Sequence, residues 1–134
     1  MIEVDWGDAN ETILVWTFSH GWTAQDFTDA FVLSEKYVAS KVTPSIVHIL
    51  IDVQHTAHLP KDMFTLGRYA INRANNRGLK GLIAIINPTA LWQRFYDVLK
   101  ITVPHSLDIR FAKDADEAYQ MMIEADVFPI QNKN

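Results

Sequence analysis

The chain has 134 residues, of which 49% are hydrophobic and 21% are charged, so disordered and fibrous classes are excluded. This length matches one domain with a single core. The formal net charge is −4 and there is no cysteine, which excludes disulfides, thiolate nucleophiles and thiolate metal sites.

The nearest approach to a basic cluster is a set of four residues spread along one predicted helix and its exit, Arg68, Arg73, Arg77 and Lys80. A duplex-binding protein usually concentrates its basic residues on one face, because phosphate neutralisation supplies most of its affinity. Charges spread along a helix are more typical of a solvated face. We therefore expect no nucleic-acid partner.

The apolar stretches of the sequence are only as long as strands, whereas a membrane helix needs about 20 apolar residues. The chain begins Met-Ile-Glu-Val-Asp-Trp, without the basic start and apolar run of a secretion signal. These features predict no membrane association and a cytoplasmic location.

Two strands open the chain and are predicted to form an antiparallel hairpin. Ile2, Val4 and Trp6 alternate with acidic residues, which is the period of a half-buried strand. Turn-forming residues at 7–10 precede a second run at 12–18 that is rich in β-branched and aromatic residues, as expected for the partner strand.

Helices and strands alternate after this hairpin. Segment 46–53 is apolar almost throughout, which is typical of a central strand covered by helices. The next strands are 82–86 and a short one marked by Ile109 and Phe111. Four helices are predicted. Thr23, Asn87 and Asp114 are expected to cap the first, third and fourth of them, and Pro60 is expected in the first turn of the second.

The resulting order, β-β-α-β-α-β-α-β-α, predicts an α/β fold. Its sheet is expected to have four to five strands, mainly parallel, with the first strand as an antiparallel edge. Residues 1–128 form the single predicted domain. Residues 129–134 form a polar C-terminal tail.

The third predicted helix has an unusually wide apolar surface. At about 100° per residue, its core-facing stripe is predicted to comprise Leu91, Phe95, Val98, Leu99 and Thr102. Trp92, Tyr96 and Val103 lie along one edge, and aromatic residues in such positions are favoured at interfaces. Two interpretations remain open: the edge packs over the end of the sheet, or it contacts a protein partner or a second copy of the chain.

The element order, the strand Ile49-Leu50-Ile51-Asp52-Val53 and the loop and helix after it together resemble the STAS domains. This family includes bacterial anti-sigma-factor antagonists and the cytoplasmic tails of sulfate transporters. The resemblance runs from Ile2 to about Asp126. It implies a STAS-like fold and a non-catalytic regulatory domain that acts by protein contact in the bacterial cytoplasm.

Antagonists of that family carry an Asp-Ser-Gly type sequence at the start of the helix after this strand. Phosphorylation of its serine breaks their complex with an anti-sigma kinase. The corresponding stretch here, 59–63, has neither serine nor glycine, and the nearby hydroxyl belongs to Thr56. We therefore expect a STAS-like domain that binds its partner without this switch.

The loop after strand 46–53 is the predicted ligand or partner site, since ligands of open α/β sheets bind beyond the carboxyl ends of the strands. Free N–H groups at the next helix start attract anions, which Lys61 favours and Asp62 opposes. Imidazole binds zinc, copper, iron or nickel, but two histidines fall short of a zinc ligand set. We predict no metal and no cofactor. The candidate binding residues are His55, Thr56, His58, Lys61, Asp62, Trp92 and Tyr96.

The sequence contains no glycine-flanked serine elbow, phosphate-binding glycine loop or dinucleotide fingerprint. His48 lies inside an apolar strand and is expected to be a hydrogen-bonded core histidine. We predict that the protein is not an enzyme. The alternatives are a small-molecule or anion-binding module that uses the loop after strand 46–53 and, third, a metal-assisted enzyme that uses His55 and His58.

Overall fold

The computed structural model describes residues 1–41, 46–56, 58–76, 81–103 and 107–127. The predicted tail, Arg77 and Lys80 lie outside these ranges. The strands are β1 (Ile2–Trp6), β2 (Ile13–Phe18), β3 (His48–Asp52), β4 (Leu82–Ile86) and β5 (Asp108–Ala112). The helices are α1 (Ala24–Ala39), α2 (Met63–Asn76), α3 (Ala90–Thr102) and α4 (Ala115–Val127).

The described strands form one sheet in the order β1-β2-β3-β4-β5. β1 pairs with β2 in antiparallel orientation, and every later pair is parallel. The predicted α/β class, element order and antiparallel edge strand are therefore confirmed. β3 is the middle strand, so the carboxyl ends of β2, β3, β4 and β5 share one edge of the sheet.

The three crossover helices cover one face of the sheet and α4 covers the other. Right-handed crossovers that always add the next strand on the same side place their helices on a common face. The main apolar cluster joins Phe27 of α1, Met63 of α2 and Trp92 of α3 to the sheet. A second cluster joins Met122 of α4 to Leu50 of β3 on the opposite face.

Alternation along the strands assigns side chains to these two faces. Ile49 pairs with Leu14 and Ile83 and faces the crossover helices, whereas Leu50 pairs with Val15 and Ala84 and faces α4. β3 is therefore apolar on both faces because helices cover both. His48 also faces α4.

Two of the predicted helix caps are present. Thr23 accepts from the N–H of Asp26 while its own N–H donates to the Asp26 carboxylate, a capping box. Asp114 accepts from the N–H of Glu117 at 2.8 Å. Both patterns place a short oxygen-bearing side chain where helix N–H groups have no partner within the helix.

The start of α3 differs from its prediction. Thr89 is the N-cap, and Asn87 instead adopts a positive φ of 46°, a backbone region that asparagine tolerates better than most residues. Its N–H donates to the carbonyl of Ala112 at 2.6 Å. Asn87 therefore ends β4 and ties it to β5.

The predicted orientation of α3 is also wrong. Leu91 and Val98, expected in the core, are each 52% exposed, whereas Trp92 and Val103, expected at the edge, are 5% and 4% exposed. Leu99 is buried as predicted. The helix is rotated by about one residue, or ~100°, so its aromatic edge faces the sheet.

Candidate functional site at the carboxyl ends of β2, β3 and β4

The loop after β3 is held by short-range hydrogen bonds. The carboxylate of Asp52 accepts from the backbone N–H and the side-chain amide of Gln54, each at 3.0 Å. The N–H of Thr56 donates to the carbonyl of Val53 at 3.3 Å. These contacts turn the chain immediately after the strand.

Thr56, the candidate hydroxyl of this loop, is only 6% exposed. Its Oγ1 atom accepts from the N–H of His58 at 3.2 Å. A kinase needs its acceptor hydroxyl in solvent, and this one is used inside the loop. The geometry is that of a structural turn.

The other candidates of the loop point into solvent. His55, His58, Lys61 and Asp62 are all exposed, and no group of three metal-ligating side chains occurs within the described ranges. His55 and His58 are not brought together with a third ligand there. The structure therefore supplies no described ligand set for the metal-assisted alternative.

Pro60 was predicted in the first turn of α2, but it lies three residues ahead of the helix, which begins at Met63. Its carbonyl accepts from the N–H of Met63 at 3.0 Å, and the carbonyl of Asp62 accepts from Leu66, so the regular helix begins at Met63. Asp62 immediately precedes the helix and is exposed, a position where the helix dipole favours a negative charge. An anion bound there would meet a like charge.

Trp22, which the sequence interpretation missed, connects the loop to α1. Its indole N–H donates to the carbonyl of His58 at 3.2 Å, and its ring centroid lies 6.1 Å from that of His58. Trp22 immediately precedes the cap Thr23 and contacts Phe27. This is the spacing of a hydrophobic staple, a signal that could have identified Trp22.

Trp22 belongs to an aromatic cluster at this edge of the sheet. Phe18, the last residue of β2, contacts Trp22 at 4.9 Å between ring centroids and Trp92 at 5.8 Å. The two indoles lie 6.0 Å apart. Trp22 therefore contacts both Trp92 and His58 and links the two predicted candidate regions.

Tyr96 has a different environment from Trp92. Its ring packs edge-on against Phe111 at 5.6 Å, and the ammonium of Lys100 lies 5.7 Å from its centroid. Partial burial, followed by the charges of Asp108 and Asp97, raises the pKa of Tyr96. Tyr96 covers the β5 edge of the sheet, as the packing interpretation expected.

The outer side of α3 carries three exposed aliphatic residues at helical spacing. Leu91 and Val98 are 52% exposed and Ile101 is 79% exposed. Arg94 and Asp97 lie beside them on the same exposed side. We call Leu91, Arg94, Asp97, Val98 and Ile101 the outer face of α3.

The fold and the site together define an α/β domain with three crossover helices on one face and an aromatic cluster at the carboxyl edge of its sheet. Comparisons with protein-family models, curated proteins and solved structures gave no match for the chain. None of the helices in the described ranges has the length and apolar character needed to cross a bilayer.

Proposed function

We propose that the chain is a non-catalytic, STAS-like regulatory domain of the bacterial cytoplasm that acts by protein contact. The resemblance described from the sequence supports this proposal, as does the arrangement of β3, its loop and α2. The structural observation that most directly supports a protein contact is the exposed outer face of α3. The first partner we assign to this face is a second copy of the chain.

Single exposed aliphatic residues are common on protein surfaces, but three on one side of one helix indicate an interaction surface. Leu91, Val98 and Ile101 follow each other at intervals of seven and three residues, which places them on one side of a helix. The aromatic residues of α3 are turned inward. The outer face thus offers aliphatic surface that the described part of the fold leaves uncovered.

The outer face is complementary to itself in an antiparallel arrangement. A two-fold axis near the middle of α3 would place Leu91 against Ile101 of the second copy. It would also place Arg94 next to Asp97 of the second copy, so opposite charges would flank the aliphatic contacts. Interfaces of two-fold dimers use the same patch on both subunits, which this residue order allows.

The buried hydroxyl of Thr56 supports a contact that works without phosphorylation. Its oxygen is occupied by the His58 N–H, so modification would first require the loop to open. Regulation in this proposal therefore depends on the fraction of the protein molecules that is bound to a partner. It does not depend on a covalent mark at this position.

Sedimentation equilibrium of the wild type and two variants tests the proposal. Ile101→Glu places a charge on the outer face of α3, and Ile123→Glu makes the same change at an exposed aliphatic residue of α4. We expect the wild type to form a dimer with a micromolar dissociation constant. Ile101→Glu should dissociate this dimer, and Ile123→Glu should leave it intact. A wild type that is monomeric at every concentration, or a dimer that survives Ile101→Glu, would overturn the assignment.

A further inference from the structure

β1 is an edge strand, and part of its backbone bonds to no other described residue. The N–H of Gly7, directly after β1, donates to the carbonyl of Ile13 at 2.7 Å, so in this register the odd-numbered residues of the strand are the ones that bond to β2. The even-numbered residues therefore turn their N–H and C=O groups outward. They are Ile2, Val4 and Trp6, whose backbone groups have no hydrogen-bond partner in the part of the chain that the structure describes.

An edge strand with unpaired backbone groups is a template for another strand. An extended peptide that binds in this way gains its affinity from main-chain hydrogen bonds and its specificity from alternate side chains. The surroundings of β1 on the two faces of the sheet therefore indicate which peptide fits.

α1 runs along β1 on one of these faces. The carboxylate of Asp26 lies 3.2 Å from the amino group of Met1, and the ring of Tyr37 lies 5.9 Å from that of Trp6. The helical span rises about 16 Å and the strand span about 17 Å, so helix and strand lie side by side in the same direction. Leu33 is seven residues after Asp26 and four before Tyr37, which places it on the same side of α1, above the middle of β1.

Leu33 lies on the side of α1 that is turned away from α2. The contacts with α2 are on the other side, where the carboxylate of Glu35 accepts from Arg73 at 2.7 Å and Phe31 packs against Tyr69. Leu33 is 40% exposed. Its side chain therefore offers apolar surface next to the outer edge of β1.

The other face of β1 is acidic. Glu3 and Asp5 point to the α4 side of the sheet and are exposed, and within the described ranges no basic side chain forms an ion pair with either. Lys41 contacts the end of β1 from the α1 face. On the opposite edge strand, β5, Asp108 and Arg110 instead neutralise each other at 2.9 Å.

This charge pattern selects between possible occupants of the edge. An antiparallel pair of β1 strands from two copies would bring Glu3 of one next to Asp5 of the other, and like charges opposite each other destabilise a strand pair. A strand with basic residues on that face would instead meet opposite charges. The edge therefore disfavours a second copy and favours a basic partner.

We infer that β1 binds an extended segment of a partner protein in which basic residues alternate with apolar ones. The segment adds a sixth strand to the five-stranded sheet, bonded to the outward backbone groups of β1. Its apolar residues contact Leu33, and its basic residues contact Glu3 and Asp5. This inference adds a second class of partner to the proposed regulatory domain. The surface is separate from the outer face of α3, so failure here would leave the sedimentation test of the dimer unaffected.

Amide hydrogen exchange of the ¹⁵N-labelled protein, with a synthetic hexapeptide of alternating lysine and valine, tests this inference. When the peptide pairs with β1, the N–H groups of Val4 and Trp6 become bonded. Their exchange should slow by about tenfold at a peptide concentration about ten times the dissociation constant. The N–H groups of Glu3 and Asp5 already bond to β2, so their exchange should slow less. A hexapeptide of alternating glutamate and valine is the charge control and should protect neither Val4 nor Trp6.

Two pairs of variants test the side-chain contacts. Leu33→Gln removes the apolar contact and should weaken binding of the lysine peptide by about fivefold. Val32→Gln is the matched control, since Val32 is 39% exposed and lies about 100° further round the same helix. Asp5→Lys should weaken binding of the lysine peptide and allow the glutamate peptide to bind. Glu124→Lys makes the same charge change on α4 and should do neither.

Unchanged exchange at Val4 and Trp6, equal binding of the two peptides, or equal effects of Leu33→Gln and Val32→Gln would overturn the inference. Slow exchange at both positions in the monomer without peptide would also overturn it, because the chain itself would then cover the edge. Slowing that depends on protein concentration alone would assign the edge to a second copy instead. The wild-type experiment decides the question even if a variant does not fold.

Discussion

His48 of β3 and Asp126 of α4 are joined across the core, with Nε2 of the histidine 2.8 Å from Oδ1 of the aspartate. The other ring nitrogen, Nδ1, accepts from the backbone N–H of Leu82 at 2.9 Å. Since Nδ1 is an acceptor, the ring proton lies on Nε2 and is donated to Asp126. His48 is only 3% exposed, so the predicted hydrogen-bonded core histidine is confirmed.

Replacing His48 by leucine is expected to lower the free energy of unfolding by about 2 kcal/mol, because the buried N–H of Leu82 loses its acceptor. Asp126→Ala should cost less, about 1 kcal/mol, since water can reach the exposed rim of that pair. Urea unfolding measures both. Glu124→Ala, an exposed change on the same helix, is the control, and equal losses for Glu124→Ala and Asp126→Ala would contradict the described contact.

Thr56→Asp, the usual substitute for a phosphorylated residue, is expected to destabilise the protein by about 3 kcal/mol, because it places a charge in a buried position. His55→Asp makes the same addition at an exposed neighbour and should change stability by less than about 0.5 kcal/mol. Thermal unfolding distinguishes the two. Wild-type stability of Thr56→Asp would mean that the hydroxyl is accessible after all.

The environment of Asp8 predicts that the β1–β2 turn stabilises the folded state by an amount that depends on pH. Burial raises its pKa, but hydrogen bonds from the Thr12 hydroxyl and from the N–H groups of Ile13 and Thr12 outweigh this and lower the pKa below 3.8. A carboxyl whose pKa is lowered by folding stabilises the folded state above its unfolded pKa, and this stabilisation disappears as pH falls through the folded pKa.

Asp8→Asn is therefore expected to be less stable than the wild type at about pH 6, and the difference should shrink toward about pH 3. Chemical unfolding at a series of pH values measures it. Asn10→Ala, in the same turn, should differ from the wild type by the same amount throughout. A difference for Asp8→Asn that grows on acidification would reverse the assigned sign.

The orientation of α3 can be tested by truncating two leucines of one helix. Leu99→Ala is expected to cost about 3 kcal/mol, because it leaves a cavity between α3 and the core. Leu91→Ala should cost less than about 1 kcal/mol, since its side chain is more than half exposed. Urea unfolding measures both variants at a concentration where the protein is monomeric. A loss for Leu91→Ala as large as that for Leu99→Ala would restore the orientation predicted from the sequence, in which both leucines face the core.

The sequence predicts the class of fold and the order of its elements because strand and helix periods alternate clearly along the chain. The central strand was identified correctly, since Ile49 and Leu50 face opposite sides and both need cover. Thr23 and Asp114 were identified as caps because each is followed three residues later by an acidic side chain. These signals are local and need no tertiary information.

The orientation of α3 was missed because the helix is apolar on most sides. Leu91 and Trp92 are neighbours, and either can begin an apolar stripe at helical spacing, so the period alone does not choose between them. The orientation is decided by Phe18 and Trp22, whose rings pack against the ring of Trp92. Likewise, Asn87 and Thr89 are both good caps, and the hydrogen bond of Asn87 to Ala112 decides the matter.

Each strand of the sheet lies next to the strand that precedes it in the chain. Each strand can therefore pair with a strand that is already made, although every parallel pair closes only after its crossover helix. During synthesis, β1 to β5 can therefore join in the order in which they emerge. α4 follows all five strands in the chain, so His48 of β3 keeps an open place for Asp126 until that helix has been made.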